Sequence, residues 1–544
     1  MAFTKMLINE TPIWAKLNLH QKSTQYFKMR NLFAENAHRF DEMSEILGGF
    51  LFDYSKNRIT EETLNLLIEL ANTAGLSEQM QKMRQGEKIN ISENRAALHI
   101  ASRLPENAEL FINNENIVPK IQAELNRALS FAQKIRQGSL KTFAGEPFEY
   151  VVNIGIGGSD LGVRACALAL RKYQNSNIKV HFVANVDKAD LDATLAEIEI
   201  EKTLFIVSSK SFTTPETLIN ANTAKKLLLT RLPEKAISQH FIAISNNIQA
   251  ACDFGIAKEH IFQLNEWVGG RYSATSVIGL PLMIAVGEDN FRQFLAGANA
   301  MDEHFFTAEF RHNIPVLAGL IGLWYNTFYR SASHAIIPYA HDLCRFPAHI
   351  QQLDMESNGK KTSQYGDYLD FDTGSIIWGE EGVNCQHAFF QLLHQGTRLV
   401  PADFIVVVGD KSDIHQQTLV ANALAQTRAL MAGKTDAEIL QELAHLSAIK
   451  RDELLPQKRF DGNQPSNTIL LDELNPFNLG KLLAFYEHKT FVQATIWGIN
   501  PFDQWGVEYG KALARDIYPK LSSTCDTDYD SSTNGLIAFY RKCE

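Results

Sequence analysis

The sequence predicts an α/β fold with two domains, each built on a parallel-rich sheet. Three observations predict it. Short apolar runs of strand length recur from about residue 148 and stop at loops rich in glycine or hydroxyls. Helical patterns lie between those runs, which is the signature of βαβ units and a parallel sheet. A second set of apolar runs follows long apolar helices after Ser276, so the pattern splits near residues 270–290.

The first hundred or so residues read as helical. Residues 61–71 carry a helical pattern, and so do residues 93–103, with Ser92 as an N-cap before the second. The first sheet then draws on Tyr150, Val151, Val152 and Ile154, on Val180, Phe182 and Val183, on residues 204–207, and on Phe241, Ile242 and Ile244. Residues 313–329 form the longest uncharged stretch. Pro315, Gly319, Gly322, Asn326 and Thr327 interrupt it, so a buried helix is expected rather than a membrane span. Ile336, Ile337 and Tyr339 open the second sheet, and residues 404–408 add a stronger strand. No tandem repeat of short period and no low-complexity linker is present. The expected division is a helical region over 1–115, a smaller α/β domain over 116–285, a larger one over 286–511, and an arm over 512–544 packed on the rest.

Composition narrows the partners. Hydrophobic residues make up 45% of the 544 and charged ones 21%, which suits an ordinary globular protein and not a disordered one. The formal net charge is -10, which excludes bulk nucleic-acid binding through a basic face but leaves room for a small basic pocket. Cys166, Cys252, Cys344, Cys385, Cys525 and Cys543 are scattered without paired spacing. A disulfide framework or zinc site is therefore not expected, and a reducing cytoplasm is the natural compartment. The N-terminal run lacks the apolar core of a signal peptide, so none is expected.

Six segments could carry chemistry. Residues 153–162 read NIGIGGSDLG, between a strand and a helix. Gly155, Gly157 and Gly158 let the backbone approach a ligand, and Ser159 adds a hydroxyl near a helix N-terminus, which suits an oxyanion. The run equally suits a tight turn with no ligand. It is not the dinucleotide fingerprint, because Asp160 replaces the third glycine. Residues 208–217 read SSKSFTTPET, with Thr214 as N-cap and Pro215 in the first turn. Hydroxyls, helix amides and Lys210 together suit a phosphate monoester; the bland alternative is a Ser/Thr-rich cap. Two such loops after strands of one sheet favour a shared cradle.

Residues 266–280 read EWVGGRYSATSVIGL, where Arg271 either offers a fork to an oxyanion or is an exposed loop arginine. Residues 351–362 read QQLDMESNGKKT. A nucleotide P-loop is rejected there, since Asp354 stands at the required glycine and Lys361 precedes Thr362. Glu356 alone reads as a solvated loop carboxylate. Residues 380–398 read EEGVNCQHAFFQLLHQGTR, which predicts His387 and His394 on one helix. No histidine–carboxylate cluster shows the helical spacing of a metal site. Residues 498–511 read GINPFDQWGVEYGK. Val507, Gly510 and Lys511 share helical spacing, so Lys511 can project from a face packed with Phe502, Trp505, Val507 and Tyr509. It would meet a ligand as a compact charge, unless the helix is simply amphipathic and its lysine reaches water.

These six segments, in this order, resemble the successive signatures of the glucose-6-phosphate isomerase family, and the likeness runs over nearly the whole chain to the tail STNGLIAFYRK. The resemblance implies two unequal sugar-isomerase (SIS) domains of α/β/α type. It implies interconversion of glucose 6-phosphate and fructose 6-phosphate, a step of glycolysis and gluconeogenesis, through ring opening and a cis-enediolate. It implies a homodimer with active sites near the subunit boundary, a phosphosugar substrate, and no metal or organic cofactor. By matching positions, Glu356 is the base between C1 and C2, Arg271 steadies the enediolate, and His387 and Lys511 open the ring. Gly158, Ser159, Ser209, Lys210, Ser211 and Thr214 match the phosphate and substrate cradle. Gln352 and Gln504 match further substrate contacts, and Glu216 a carboxylate near the histidine. Cys385 and Glu381 stand where the family usually has glycine and proline, which bears on the loop before His387; Ser211 replaces a common threonine but keeps its hydroxyl. Two rivals remain. A bifunctional phosphoglucose/phosphomannose isomerase is disfavoured by the full length and the Gln-rich signatures. A non-catalytic phosphosugar-binding SIS regulator would not need Glu356, His387 and Lys511 together.

Overall fold

Two sheets organise the chain up to Pro501, and residues from Phe502 onward form a second compact unit. The structure is a computed structural model that describes residues 7–523 and 528–543. The strands, in chain order, are β1 (Ser44–Leu47), β2 (Phe50–Asp53), β3 (Phe111–Ile112), β4 (Glu115–Asn116), β5 (Tyr150–Ile154), β6 (Lys179–Val183), β7 (Thr203–Ser208), β8 (Phe241–Ile244), β9 (Ile261–Phe262), β10 (Ser333–Tyr339), β11 (Ile376–Trp378), β12 (Ala402–Val407) and β13 (Ser466–Leu471).

The first sheet has the order β6-β5-β7-β8-β9 and every pairing is parallel. All residues of β7 and β8 are buried, as a sheet covered on both faces requires. Helices Leu161–Ala169, Lys188–Ala196, Pro215–Leu229 and Ile248–Phe254 make the crossovers. The chain passes from β5 to β6 on one side, then returns to lay β7 on the other. That reversal opens a crevice beyond the carboxyl ends of β5 and β7, where open α/β sheets bind ligands.

The second sheet has the order β1-β2-β13-β12-β10-β11. Its last four members are parallel, and the β1–β2 hairpin closes one edge antiparallel to β13. Beside it runs the long helix Pro476–Trp497, buried along nearly all of its length. It packs on Glu288–Thr307 at backbone distance. A Cβ added to Gly480 would lie 2.0 Å from the Phe294 carbonyl oxygen, and one on Gly297 would lie 1.8 Å from that of Phe477. Only glycine allows these two helices to cross so closely.

The six strands expected from the sequence are all present, as is the helix at residues 61–71, now Glu61–Thr73. Residues 313–329 form the buried helix Ile314–Leu323 followed by a π turn, Trp324–Phe328. No helix among the described residues is long and apolar enough to cross a membrane. Residues 93–103 do not form the expected helix. Asn94 has a φ of 52°, Asn90 and Arg95 form a bridge, and only His99–Arg103 coils, as a 3-10 turn. Local side chains take over the backbone's role: Glu93 accepts from Asn90 Nδ2 at 2.6 Å and Arg95 Nε at 3.0 Å. Ser92 caps no helix; its hydroxyl accepts from Asn500 Nδ2 at 2.9 Å. The reading of the first hundred residues as helical also missed β1 and β2, a four-residue pair whose partner β13 lies more than four hundred positions away.

In the second unit, helices Trp505–Leu521 and Ser531–Tyr540 are held by Tyr529, which donates to Asp516 Oδ2 at 2.5 Å, and by Arg541 Nη2, which donates to the Lys520 carbonyl at 2.7 Å.

Candidate active site

Glu356 stands in the last turn of the helix Phe346–Asn358, which begins with Pro347 in its first turn and buries Ile350, Leu353 and Ser357. It is therefore a helix residue and not a loop carboxylate, with a side chain only 18% exposed. Gln352, one turn back, donates Nε2 to Glu356 Oε2 at 3.1 Å. Arg271 lies on the 3-10 turn Gly270–Tyr272. The exposed-arginine reading fails, since its side chain is 2% exposed. Nη1 is 3.3 Å from Glu356 Oε2, Nε donates to Ser357 Oγ at 2.7 Å, and Nη2 donates to the Pro501 carbonyl at 2.5 Å.

The glycine loop closes against this pair. A Cβ on Gly158 would lie 2.2 Å from the carbonyl carbon of Gly270, so the loop and the arginine turn touch backbone to backbone. Gly157 has a φ of 56°, and a Cβ there would lie 3.2 Å from Gln352 Nε2. Ser273 donates to the Gly158 carbonyl at 3.3 Å. Ser159 follows in the same 3-10 turn, before the helix Leu161–Ala169. Loop, arginine and carboxylate are thus gathered by direct contact, at the end of β5.

The hydroxyl loop is tied to the same place by Asn153. This fully buried side chain accepts from Ser208 Oγ at 2.7 Å and donates to the Ser159 carbonyl at 3.0 Å. Ser209 Oγ lies 3.2 Å from Thr214 Oγ1, and Ser211 Oγ 2.6 Å from Thr213 Oγ1. Thr214 occupies the expected N-cap position before Pro215, but its hydroxyl makes no cap bond to the helix. Those first-turn amides point out of the helix end, where an anion is favoured. Glu216 sits in that first turn. Lys210 donates Nζ to the carbonyls of Glu266 and Val268 at 3.1 and 3.2 Å, and burial, with Arg95 nearby, pushes it down to about 8. Its charge is thus held by the neighbouring loop.

His387 and His394 do not share a helix. His387 ends the 3-10 turn Asn384–His387 and is exposed, whereas His394 belongs to the separate helix Phe390–Gln395. His394 Nε2 lies 2.8 Å from Gln426 Oε1, a structural bond. The two unusual residues before His387 have packing partners. Cys385 is fully buried in the core of the second sheet, which pushes its thiol up to about 12, and the Glu381 carboxylate lies 2.8 Å from His341 Nδ1. Gln504 and Lys511 belong to the second unit. Gln504 is the N-cap of Trp505–Leu521, and Lys511 Nζ lies 3.1 Å from Glu508 Oε1. The face expected to be packed is open: Trp505, Val507 and Tyr509 are exposed and only Phe502 is buried.

Sequence reasoning overlooked Asn153, Tyr272 and Ser357. A signal existed for the first, an amide in an otherwise apolar strand, because such a group must find partners when buried.

The site is thus a parallel sheet of α/β type with glycine- and hydroxyl-rich loops at its switch point, faced by the Glu356 carboxylate and the buried Arg271. The phosphoglucose isomerase family model matches residues 53–537, and the chain belongs to that family. It is 57% identical over 538 residues to the glucose-6-phosphate isomerase of Laribacter hongkongensis, covering 98% of each chain. It is 50% identical over 537 residues to glucose-6-phosphate isomerase 2 of Neisseria meningitidis serogroup B, again covering 98% of each. Among solved structures, the glucose-6-phosphate isomerase of Chlamydia trachomatis superposes with a TM-score of 0.85 at 33% identity, over 98% of this chain and 99% of that one.

Proposed function

We propose that the protein interconverts glucose 6-phosphate and fructose 6-phosphate as an aldose-ketose isomerase. The observation that carries the reading is the Arg271 guanidinium held 3.3 Å from the Glu356 carboxylate, against the glycine loop. A proton next to a carbonyl is abstracted only if a base faces it and a cation meets the developing oxyanion. Glu356 is that base: it takes the C2 proton of the open-chain aldose and returns it to C1 of the planar enediolate. Arg271 stabilises the enediolate oxygen. Ser159, Ser209, Ser211 and Thr214, with the first-turn amides behind Thr214, bind the phosphate, and Lys210 adds charge to that end. Binding the phosphate remote from C1 and C2 holds the reacting carbons in place. Gln352 and Gln504 contact substrate, and Glu216 lies near the ring-opening histidine. His387 and Lys511 open the ring. The assembly is a homodimer, working in the cytoplasm, and the reaction needs no metal or organic cofactor.

A coupled assay for conversion of fructose 6-phosphate to glucose 6-phosphate, run on purified chelator-treated protein, tests the reading. Turnover is expected without added metal. Activity abolished by exhaustive chelation and restored by a divalent ion would overturn the mechanism, and no turnover at all would overturn the function.

A further inference from the structure

We infer that Ser357 and Tyr272 form a positioning clamp on Arg271, which keeps the guanidinium beside Glu356 without letting the two close into a bidentate pair. The inference rests on the reading of Glu356 as the base. Two consecutive residues from each of two elements meet here: Arg271 and Tyr272 on the turn Gly270–Tyr272, Glu356 and Ser357 on the helix Phe346–Asn358. Arg271 Nε donates to Ser357 Oγ at 2.7 Å, and the Tyr272 hydroxyl lies 3.0 Å from the same oxygen. Nη2 donates to the Pro501 carbonyl at 2.5 Å. The Nε–Nη2 edge, one of the forked edges that grip carboxylates, is thus engaged by a hydroxyl and a carbonyl. Glu356 is met through Nη1, at the longer distance of 3.3 Å.

That arrangement answers two opposing demands. The cation must stand where negative charge develops on the substrate. A forked arginine–carboxylate pair, however, is strong, and a close opposite charge lowers a carboxylate's affinity for the proton it must accept. Engaging the edge elsewhere keeps the arginine near and the base competent. Ser357 is fully buried and Tyr272 is 1% exposed, so water does not stand in for either hydroxyl. The tyrosine ring is itself fixed by His99, stacked on it at 4.6 Å with the planes 28° apart. Removing the serine oxygen takes away the acceptor of Nε, while the Glu356 carboxylate stands 3.3 Å from Nη1 of the same buried guanidinium.

The test compares the parent protein, Glu356→Gln, Ser357→Ala and Tyr272→Phe, with glucose 6-phosphate carrying hydrogen or deuterium at C2. For Ser357→Ala, kcat is expected to fall on the order of 10²-fold, the cost of a misplaced catalytic group, with KM little changed. Tyr272→Phe should show a smaller loss of the same kind. In both, the primary isotope effect on kcat should exceed the parent's, because proton transfer becomes more rate-limiting. A reduced fraction of folded enzyme would lower kcat and leave the isotope effect alone. Parent-like kcat in both variants, or a loss with an unchanged isotope effect, would overturn the clamp. If Ser357→Ala does not fold, Tyr272→Phe, which removes one oxygen atom, decides by itself. A parent that does not isomerise the sugar, or a Glu356→Gln protein of near-normal kcat, would instead reject the function on which the clamp rests.

Discussion

At the scale of the residue, the proposed mechanism turns on one carboxylate and the groups around it. Glu356 accepts a bond from Gln352 and faces Arg271, so glutamine at this position preserves shape and hydrogen bonding but cannot take a proton. Glu356→Gln is expected to lower kcat by about 10²- to 10⁴-fold, the usual contribution of a general base. KM should change little, because the cradle proposed for the phosphate lies on other elements and the lost interaction belongs to the transition state. Exchange of the C2 hydrogen with solvent, followed by NMR, should vanish along with turnover. A variant with near-normal kcat and exchange would force a search for another base. The proposal of this residue as the base comes from the run QQLDMESNGKKT by resemblance. Its setting is not legible. Arg271 and Ser357 are 86 positions apart, and no local pattern tells that a glycine-flanked arginine will be buried against the residue after Glu356.

At the scale of the element, the proposed cradle consists of two strand-to-helix loops, which the buried Asn153 side chain ties together. Strands β5 and β7 were legible because parallel strands buried on both faces are uniformly apolar, and the loops were legible because glycine and hydroxyl clusters interrupt that pattern. The failures have local physical causes too. Residues 93–103 carry helical periodicity, yet Glu93, Asn90 and Arg95 satisfy one another and hold a turn. His387 and His394 are expected on one helix, but the chain coils twice and leaves them on different elements. β13 begins Ser466-Asn467-Thr468, polar for a strand buried on both sides, and is stabilised by Asn467 donating to Asp403 at 2.8 Å, a partner invisible in sequence. Two predictions belong to these loops. Ser209→Ala with Thr214→Ala removes a facing pair of hydroxyls and should mainly raise KM for both sugar phosphates, with inorganic phosphate a weaker competitor. An unchanged KM would take the loop out of the site. Gly158→Ala should do more, since its methyl would stand 2.2 Å from the backbone of Gly270. The loop and the arginine turn must then part, so kcat and KM should both worsen; parent-like kinetics would show that their contact is dispensable.

At the scale of the whole molecule, the question is which chain supplies which group. In the first unit the half-buried Glu356 faces the buried Arg271, while His387 lies exposed on a short turn of the same chain. An exposed imidazole with a proposed part in ring opening needs a pocket to serve, and a closed two-fold dimer presents each such residue to its neighbour in the same way. If His387 completes the neighbour's site, Glu356→Gln and His387→Ala chains are each inactive alone. In a mixed dimer one of the two sites then receives an intact Glu356 from one chain and an intact His387 from the other. Random subunit exchange makes half of the dimers mixed, so activity should recover to roughly a quarter of the parent level. If each site is built within one chain, every site of a mixed dimer keeps one defect and no activity returns. The measurement is the coupled assay on equal mixtures after exchange, and on mixed dimers isolated through different affinity tags, where about half of the parent activity is expected. Recovery near the expected fraction supports a shared site. Its absence in isolated mixed dimers would place the histidine, or the ring-opening role, within a single chain.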